Sequence, residues 1–333
     1  MTGRSPSETI VMISRDLPSI AKEMLSQEGF DVKAWSEERP MTREEFESAS
    51  LQANAIICVL SDKIDRDFLT RCRHLEMISQ FAAGFDNVDV MAATELGIPV
   101  GFTPNATSNA TADIAFGLMI AVSRKMFSQH KSIAAGNWKH FRPNSHLGFE
   151  LKNKTLGVFG LGRIGMEMAR RCKGAYHMPV LYCNRSPNPE AERELGAVRV
   201  SFDKLLAQSD VVSVHCALTR ETTGLFDRKA FSKMKPSAIF INTARGLIHN
   251  EEDLLEALNK GLIWGAGLDV TNPEPMRQDH PLLNMENVAI LPHIGSATVE
   301  ARGEMARLAA ENIIQFYRTG NIPHLVNPEV RLK

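Results

Sequence analysis

Short apolar runs alternate with amphipathic helical segments from the first residues of the chain onward. The apolar runs have the length of buried strands, whereas segments such as Pro18–Gln27 have a helical period. Strands that alternate with helices are typical of a parallel sheet covered by helices on both faces. The strands predicted in this first region are Ile10–Ser14, Asp31–Trp35, Ala55–Leu60, Leu75–Gln80 and Pro99–Phe102.

A second α/β region follows the first. Between the two regions, a proline and an Asn/Ser/Thr-rich stretch favour a turn and then a long helix, predicted over Ser108–Gln129. The last helix, about Thr298–Arg318, can return to the first region. We therefore expect two domains, one formed by residues 1–104 and completed by 294–333, and one formed by residues 105–293. The strands predicted in the second region are Leu156–Phe159, Val180–Cys183, Val211–His215, Ala238–Asn242, Ile263–Leu268 and Val288–Leu291.

The composition of the chain bears on its predicted cellular compartment and on its predicted binding partners. The 333 residues are 44% hydrophobic and 23% charged with a formal net charge of −1, so nothing favours a nucleic-acid or membrane partner. The longest apolar run, Ile114–Val122, is too short to span a bilayer. The five cysteines are scattered, as is typical of reduced thiols. The sequence therefore predicts a soluble cytoplasmic protein.

A glycine-rich segment, Gly160-Leu-Gly-Arg-Ile-Gly165, directly follows the predicted strand Leu156–Phe159 and begins an amphipathic helix. Gly160 permits a tight turn, Gly162 lets the backbone approach a pyrophosphate, and Gly165 lets the helix pack closely on the strand. The helix N-terminus adds free N–H groups and partial positive charge for phosphates. Strand, turn and helix in this order predict that residues 105–293 form a Rossmann dinucleotide-binding domain. The other domain, residues 1–104 completed by 294–333, is then the predicted substrate-binding domain.

The end of the next strand predicts which dinucleotide is bound. NAD-specific sites place an acidic residue about 20 residues beyond the glycines to bind the ribose hydroxyls. Asn184 holds that position here, and Arg185 and Ser186 follow it. Asn does not repel a 2′-phosphate, and the Arg and Ser side chains can bind one. We therefore expect NADP, used as NADPH, to be the preferred cofactor, with NAD as the alternative.

Three segments that follow apolar strands carry the candidate chemistry. They contain Arg245, Asp269 with Glu274, and His293, and the carboxyl ends of parallel strands share one edge of a sheet. His293 is suited to protonate a carbonyl oxygen near neutral pH, and Glu274 would hold its tautomer. Arg245 offers a planar cation for a substrate carboxylate. Each residue alone fits a structural role, but together they favour reduction of a 2-keto acid.

Several motifs carry a resemblance to a known family that extends over about Ile10 to Pro328. They resemble the D-isomer-specific 2-hydroxyacid dehydrogenases, which implies two doubly wound parallel-sheet domains, Rossmann and flavodoxin-like, with the active site in the cleft between them. The motifs are Ala83–Asp89, Asn109–Asp113, Gly160–Gly165, His215–Thr222, Asn242–Gly246, Gly267–Val270 with Pro273–Pro275, and Leu291–Thr298.

The resemblance also implies roles for single residues. His293 would be the proton donor, Glu274 its partner and Arg245 the substrate anchor, without a metal. The substrate contacts would be Ala83, Gly84, Arg245, His293 and Ser296. The cofactor contacts would be Gly160, Gly162, Arg163, Ile164, Gly165, Arg185, Ser186, Ala217, Thr243, Asp269 and Gly295. Ala217 stands where the family usually has proline, which makes this loop less rigid.

Within the family, two segments look most like glyoxylate/hydroxypyruvate reductases: Val100–Pro104 and Leu268–Leu283. The resemblance implies NADPH-dependent reduction of glyoxylate and hydroxypyruvate to glycolate and D-glycerate. The alternatives are a related substrate, such as 2-ketogluconate or phosphoglycerate, and a non-enzymatic corepressor-like protein of the same fold. A homodimer is also implied. The aromatic segment Trp138–Phe141 would either reach the active site of the partner subunit or pack within the dimer interface.

Overall fold

The computed structural model describes residues 5–331, which form two compact units. One unit extends to Thr107 and resumes at Ala297, and the other comprises Ser108–Ser296. The sequence analysis placed the corresponding boundaries after residues 104 and 293. Each unit is built on a parallel sheet with apolar layers on both faces, which confirms the predicted fold class.

The first unit contains a five-stranded sheet in the order β2-β1-β3-β4-β5. Residues of the helices α1 and α12 form one apolar layer with the sheet, and residues of α2, α3 and α4 form the other. The strands are β1 (Ile10–Ile13), β2 (Asp31–Ala34), β3 (Ala55–Cys58), β4 (Met77–Gln80) and β5 (Val100–Gly101). The helices are α1 (Ile20–Gln27), α2 (Arg43–Leu51), α3 (Arg66–Arg71), α4 (Val90–Glu95) and α12 (Val299–Thr319), with a 3₁₀ turn at Pro6–Glu8.

The C-terminal segment completes the first unit through buried polar side chains. Asn312 of α12 donates to the carbonyl of Phe102 over 3.0 Å. Asn327, which is fully buried, accepts from the N–H of Val100 over 2.9 Å. Buried polar groups of this kind cost free energy unless they are paired, so these contacts specify how the segment docks.

The second unit contains a seven-stranded parallel sheet in the order β12-β11-β10-β9-β6-β7-β8. The strands are β6 (Leu156–Phe159), β7 (Val180–Cys183), β8 (Val198–Arg199), β9 (Val211–Val214), β10 (Ile239–Asn242), β11 (Gly265–Leu268) and β12 (Val288–Ile290). The helices are α5 (Ser108–Ser123), α6 (Met126–Ala134), α7 (Arg163–Tyr176), α8 (Pro189–Leu195), α9 (Phe202–Gln208), α10 (Arg228–Lys233) and α11 (Glu251–Asn259), with 3₁₀ turns at Gly246–Ile248 and Pro281–Asn284.

The prediction of one helix over Ser108–Gln129 is wrong, because the structure has two helices there, α5 and α6. The chain turns at Lys125, whose φ of 53° lies in the left-handed region. The carbonyl of Ser123 accepts from the N–H of Phe149 over 3.1 Å. A Cβ on Gly148 would lie 2.1 Å from the same carbonyl, so this close contact requires glycine. A distant segment thus occupies the carbonyl that a continuous helix would use.

Candidate active site

The three segments that carry the candidate chemistry leave one edge of the seven-stranded sheet. Strands β10, β11 and β12 are neighbours and parallel, with Asn242 paired to Leu268 and Leu268 paired to Ile290. Their carboxyl ends lead into the loops that contain Arg245, Glu274 and His293. The register therefore brings these loops to the same edge.

His293 and Glu274 form a close pair. The distance between His293 Nδ1 and Glu274 Oε1 is 2.5 Å, and the side chains are 30% and 43% exposed, respectively. Burial acts to raise the pKa of Glu274, but the hydrogen bond and charge of His293, with contributions from Thr271 and Arg245, hold it below its ordinary value. The ionised carboxylate accepts a hydrogen bond from Nδ1–H, so Nε2 is the ring nitrogen that does not contact Glu274.

The backbone of His293 is held in the left-handed region, with φ of 52°. The buried carboxylate of Asp269 accepts from the next two N–H groups, of Ile294 over 2.8 Å and of Gly295 over 2.7 Å. The Thr111 hydroxyl donates to the Gly295 carbonyl over 3.1 Å. Burial raises the pKa of Asp269 although both backbone bonds oppose it. Asp269 thus fixes the turn that presents the His293 ring.

The loop that contains Arg245 is held by the buried side chain of Asn242 at the end of β10. Asn242 accepts from the N–H of Ala244 over 2.9 Å and donates to the carbonyl of Arg245 over 2.9 Å. A Cβ on Gly246 would lie 2.0 Å from the carbonyl of Thr271, so the Arg245 loop packs directly against the loop of Glu274. The sequence analysis did not assign a role to Asn242. Its position at the end of an apolar strand could have indicated that its side chain supports the loop that follows.

The glycine-rich turn has the geometry that a dinucleotide requires. Gly160 has φ of 92°, and a Cβ there would lie 2.5 Å from the backbone nitrogen of Cys216. A Cβ on Gly165 would lie 2.8 Å from the carbonyl of Gly160, so α7 packs closely on β6. Gly162 is the N-cap of α7 and faces open space. Exposed backbone at a helix N-terminus is the type of site that binds a pyrophosphate.

The residues after β7 are arranged around the glycine turn. Asn184 accepts from the N–H of Leu161 over 2.7 Å and donates to its carbonyl, so its side chain supports the turn. Arg185 and Ser186 are exposed. Arg199 on β8 donates to the carbonyls of Asn184 and Arg185 and thereby shapes the loop. Sequence reasoning missed both β8 and Arg199, because this strand has two exposed residues and no apolar run.

The remaining predicted contacts lie in several places. Ala83 and Gly84 follow β4 in the first unit, whereas the others belong to the second unit. Arg163 is exposed at the first position of α7 and Ile164 is half-buried beside it. In the second unit, Ala217 is exposed after β9, Thr243 is buried after β10 and Ser296 is half-buried near Gly295.

Two other histidines of the second unit are not equivalent to His293. Burial lowers the pKa of His215 to about 4 and the pKa of His249 to about 4, so both rings are neutral at physiological pH. His215 contacts the hydroxyl of Ser213 over 2.8 Å, and His249 accepts from Asn242 over 3.0 Å. Both rings have neutral structural partners, whereas His293 is in direct contact with a carboxylate.

Among residues 5–331, no group of three or more His, Cys, Asp and Glu side chains could hold a metal ion. Within the same described range, every helix is too short or too polar to cross a membrane.

Comparison with known proteins identifies the family. Residues 116–295, more than half of the chain, match the model of the D-isomer specific 2-hydroxyacid dehydrogenase, NAD binding domain. The chain belongs to the D-isomer specific 2-hydroxyacid dehydrogenase family, which confirms the predicted resemblance. It is therefore an oxidoreductase that uses a nicotinamide cofactor on a small keto or hydroxy acid.

Three relatives illustrate the similarity. A glyoxylate reductase from Thermococcus litoralis is 40% identical over 96% of this chain and 97% of its own length. The structure of a glyoxylate reductase from Paecilomyes thermophila has a TM-score of 0.85, with 36% identity over 96% of this chain and 98% of that one. An NADPH-dependent glyoxylate/hydroxypyruvate reductase from Sinorhizobium meliloti, in complex with NADP and malonate, has a TM-score of 0.83, with 27% identity and 98% of each chain covered.

The lowered pKa of Glu274 predicts how its pair with His293 contributes to stability. A carboxylate whose folded-state pKa is depressed stabilises the fold above its unfolded pKa, and this contribution is lost as the pH falls through the folded value. We expect Glu274→Gln to lower the Tm at neutral pH, and the difference from wild type to shrink below the ordinary pKa of 4.5. Thermal unfolding measured from neutral to acidic pH checks this. A difference that stays constant with pH, or an equal effect of the exposed-site control Glu252→Gln, would contradict it.

Proposed function

We propose that this protein reduces glyoxylate and hydroxypyruvate to glycolate and D-glycerate with NADPH, with His293 as the proton donor. The observation that carries the proposal is the 2.5 Å pair of His293 and Glu274 beside the Arg245 loop. The substrate assignment is supported by the similarity to enzymes named glyoxylate reductase and glyoxylate/hydroxypyruvate reductase.

The proton step follows from the geometry of His293. A nicotinamide cofactor, when bound, would supply the hydride, and negative charge would develop on the carbonyl oxygen of the substrate. Glu274 accepts the hydrogen bond from Nδ1–H of the imidazolium. The proton transferred to the carbonyl oxygen is therefore the one on Nε2. Glu274 stays ionised because its pKa is lowered, and it stabilises the charged ring before transfer.

Arg245 serves the substrate carboxylate in this proposal. Its guanidinium donates to the Ala244 carbonyl over 2.7 Å through Nη1, which orients the planar group. Its positive charge acts on Glu274, which is consistent with a location next to the proton-donor pair. The backbone N–H groups of Ala83 and Gly84 would bind the same carboxylate, and Ser296 would line the substrate site.

Removal of the imidazole tests the proton donor. We expect His293→Ala to lower kcat for glyoxylate by at least ~100-fold, the usual contribution of general acid–base catalysis. The NADPH Kd, measured by nicotinamide fluorescence, should change little. The variant His74→Ala, at an exposed histidine of the first unit, is the control. Failure of the wild type to reduce glyoxylate would overturn the substrate proposal, and retention of half the activity in His293→Ala would overturn the role of this residue.

The preference for NADPH is proposed from the loop after β7. Asn184 supplies no carboxylate against a 2′-phosphate, and the exposed Arg185 and Ser186 can bind one. A hydrogen bond from Thr219 and, to a smaller extent, the charge of Arg185 lower the pKa of Glu221. The ionised Glu221 carboxylate therefore reduces the positive potential around Arg185. Asp269, Thr243 and Gly295 would hold the nicotinamide amide, and Arg163, Ile164 and Ala217 would contact the rest of the cofactor.

Kinetics with both cofactors test the role of Arg185. We expect Arg185→Ala to raise the KM for NADPH by about tenfold or more, as the loss of a charge-assisted hydrogen bond does. The KM for NADH should stay within about twofold, since NADH has no 2′-phosphate. Arg193→Ala, which removes an exposed charge from α8, is the matched control. A wild type that uses NADH at equal or higher kcat/KM would contradict the proposed preference.

We propose a homodimer that buries the segment from Met126 to Phe149. Apolar side chains are unusually exposed there, with Trp138 at 73% and Phe141 at 85%, and Leu147 and Ile133 nearby in sequence. A two-fold interface pairs the same patch on both subunits, so an apolar patch of this kind can cover itself.

Hydrodynamics test the dimer. The wild type should sediment as a dimer at micromolar concentration, and Phe141→Ser with Trp138→Ser should shift it toward monomer because apolar area is lost. Leu51→Ser, at an exposed leucine of the first unit, is the control and should stay dimeric. A monomeric wild type would reject the interface.

The five cysteines are unpaired in the structure. Free thiols are typical of a reducing compartment, and we propose a cytoplasmic location on this basis.

A further inference from the structure

Glu251 is a buried carboxyl group directly behind the loop that carries Glu274. Its side chain is 7% exposed, and Oε1 accepts from the N–H of Asn272 over 2.9 Å. Burial raises the pKa of Glu251, although the bond from Asn272 and the charge of His280 oppose this. Burial of a carboxyl group costs free energy unless the group is hydrogen-bonded, so the partners of Glu251 are informative.

The other oxygen of Glu251 faces a second buried side chain. His280 Nε2 lies 3.9 Å from Glu251 Oε2, and the His280 side chain is 11% exposed. His280 Nδ1 accepts from the N–H of Leu282 at the start of the 3₁₀ turn, which assigns the ring hydrogen to Nε2. The ring therefore presents an N–H toward the carboxyl group. One oxygen of Glu251 is thus held by the hydrogen bond from Asn272, and the other faces the His280 ring.

The hydrogen bond from Asn272 to Glu251 lies only two residues before Glu274, the partner of His293. Asn272 is followed by Pro273 and Glu274, and the Thr271 hydroxyl donates to the Pro273 carbonyl over 2.8 Å. Glu274 itself is partly exposed, so its position depends on how its loop is anchored. The anchors on the loop are the close contact at Thr271 with Gly246 and the hydrogen bond from Asn272 to Glu251.

We infer that Glu251 is a positioning residue for the proposed reaction: its hydrogen bond to the Asn272 N–H sets the loop so that Glu274 faces His293. The inference rests on the proposed role of His293 as proton donor. Glu251 touches neither member of the pair in this arrangement and acts through the loop alone. A purely structural role, in which Glu251 only stabilises the start of α11, predicts different behaviour.

Two substitutions at Glu251 separate the hydrogen bond from the charge. Glu251→Ala removes the acceptor, and we expect kcat to fall by about tenfold, within the range of coupled neighbouring residues, while the NADPH Kd stays unchanged. Glu251→Gln keeps an oxygen that can accept from Asn272, and kcat should stay within about threefold of wild type. Glu252→Ala, at the exposed next residue of α11, is the matched control and should leave kcat unchanged.

A double-mutant cycle with Glu274→Ala decides between positioning and stability. If Glu251 acts through Glu274, Glu251→Ala should lower kcat by less than about twofold in the Glu274→Ala background. Its effect on Tm should be the same in both backgrounds. An equal loss of kcat in both backgrounds, or no loss in the single variant, overturns the inference. Absence of glyoxylate turnover by the wild type instead overturns the proposed function, so the two failures are distinguishable.

Discussion

The carboxylate of Asp269 is the constraint on which the candidate site depends. It is buried at the end of β11, and its two oxygens accept from the N–H groups of Ile294 and Gly295. These bonds span from one strand end to the loop after the neighbouring strand and hold His293 at a positive φ. A left-handed backbone is unfavourable for a residue with a Cβ, so the turn needs such a support. Without it, the ring that meets Glu274 would have no fixed direction.

Burial distinguishes His215 and His249 from His293. His215 and His249 are desolvated and have neutral partners, so their charged forms are disfavoured. Both rings have a structural role as hydrogen-bond partners of neighbouring side chains. His293 is partly exposed and contacts the carboxylate of Glu274, so its surroundings differ from those of the two buried rings. One residue type therefore has two uses within a single sheet edge, and the environment of each ring determines which.

The parts of this structure that follow from local chemistry could be predicted from the sequence, and the parts set by distant contacts could not. The strands β6 and β7 have the predicted bounds because both are apolar runs enclosed in a parallel sheet. The pairing of His293 with Glu274 was predictable because both follow strands at one edge. The break at Lys125 was not, because it depends on Phe149, and the support of the glycine turn by Asn184 was not, because a polar side chain carries no periodic signal.

The contact of Gly246 with the Thr271 carbonyl has a mechanical consequence. At that spacing, which leaves no room for even one methyl group, neither backbone can move toward the other. The segments bearing Arg245 and Glu274 therefore constrain each other, although they are far apart in sequence. A side chain added at position 246 would therefore disturb both segments at once, because it would push the loop of Arg245 and the loop of Glu274 apart.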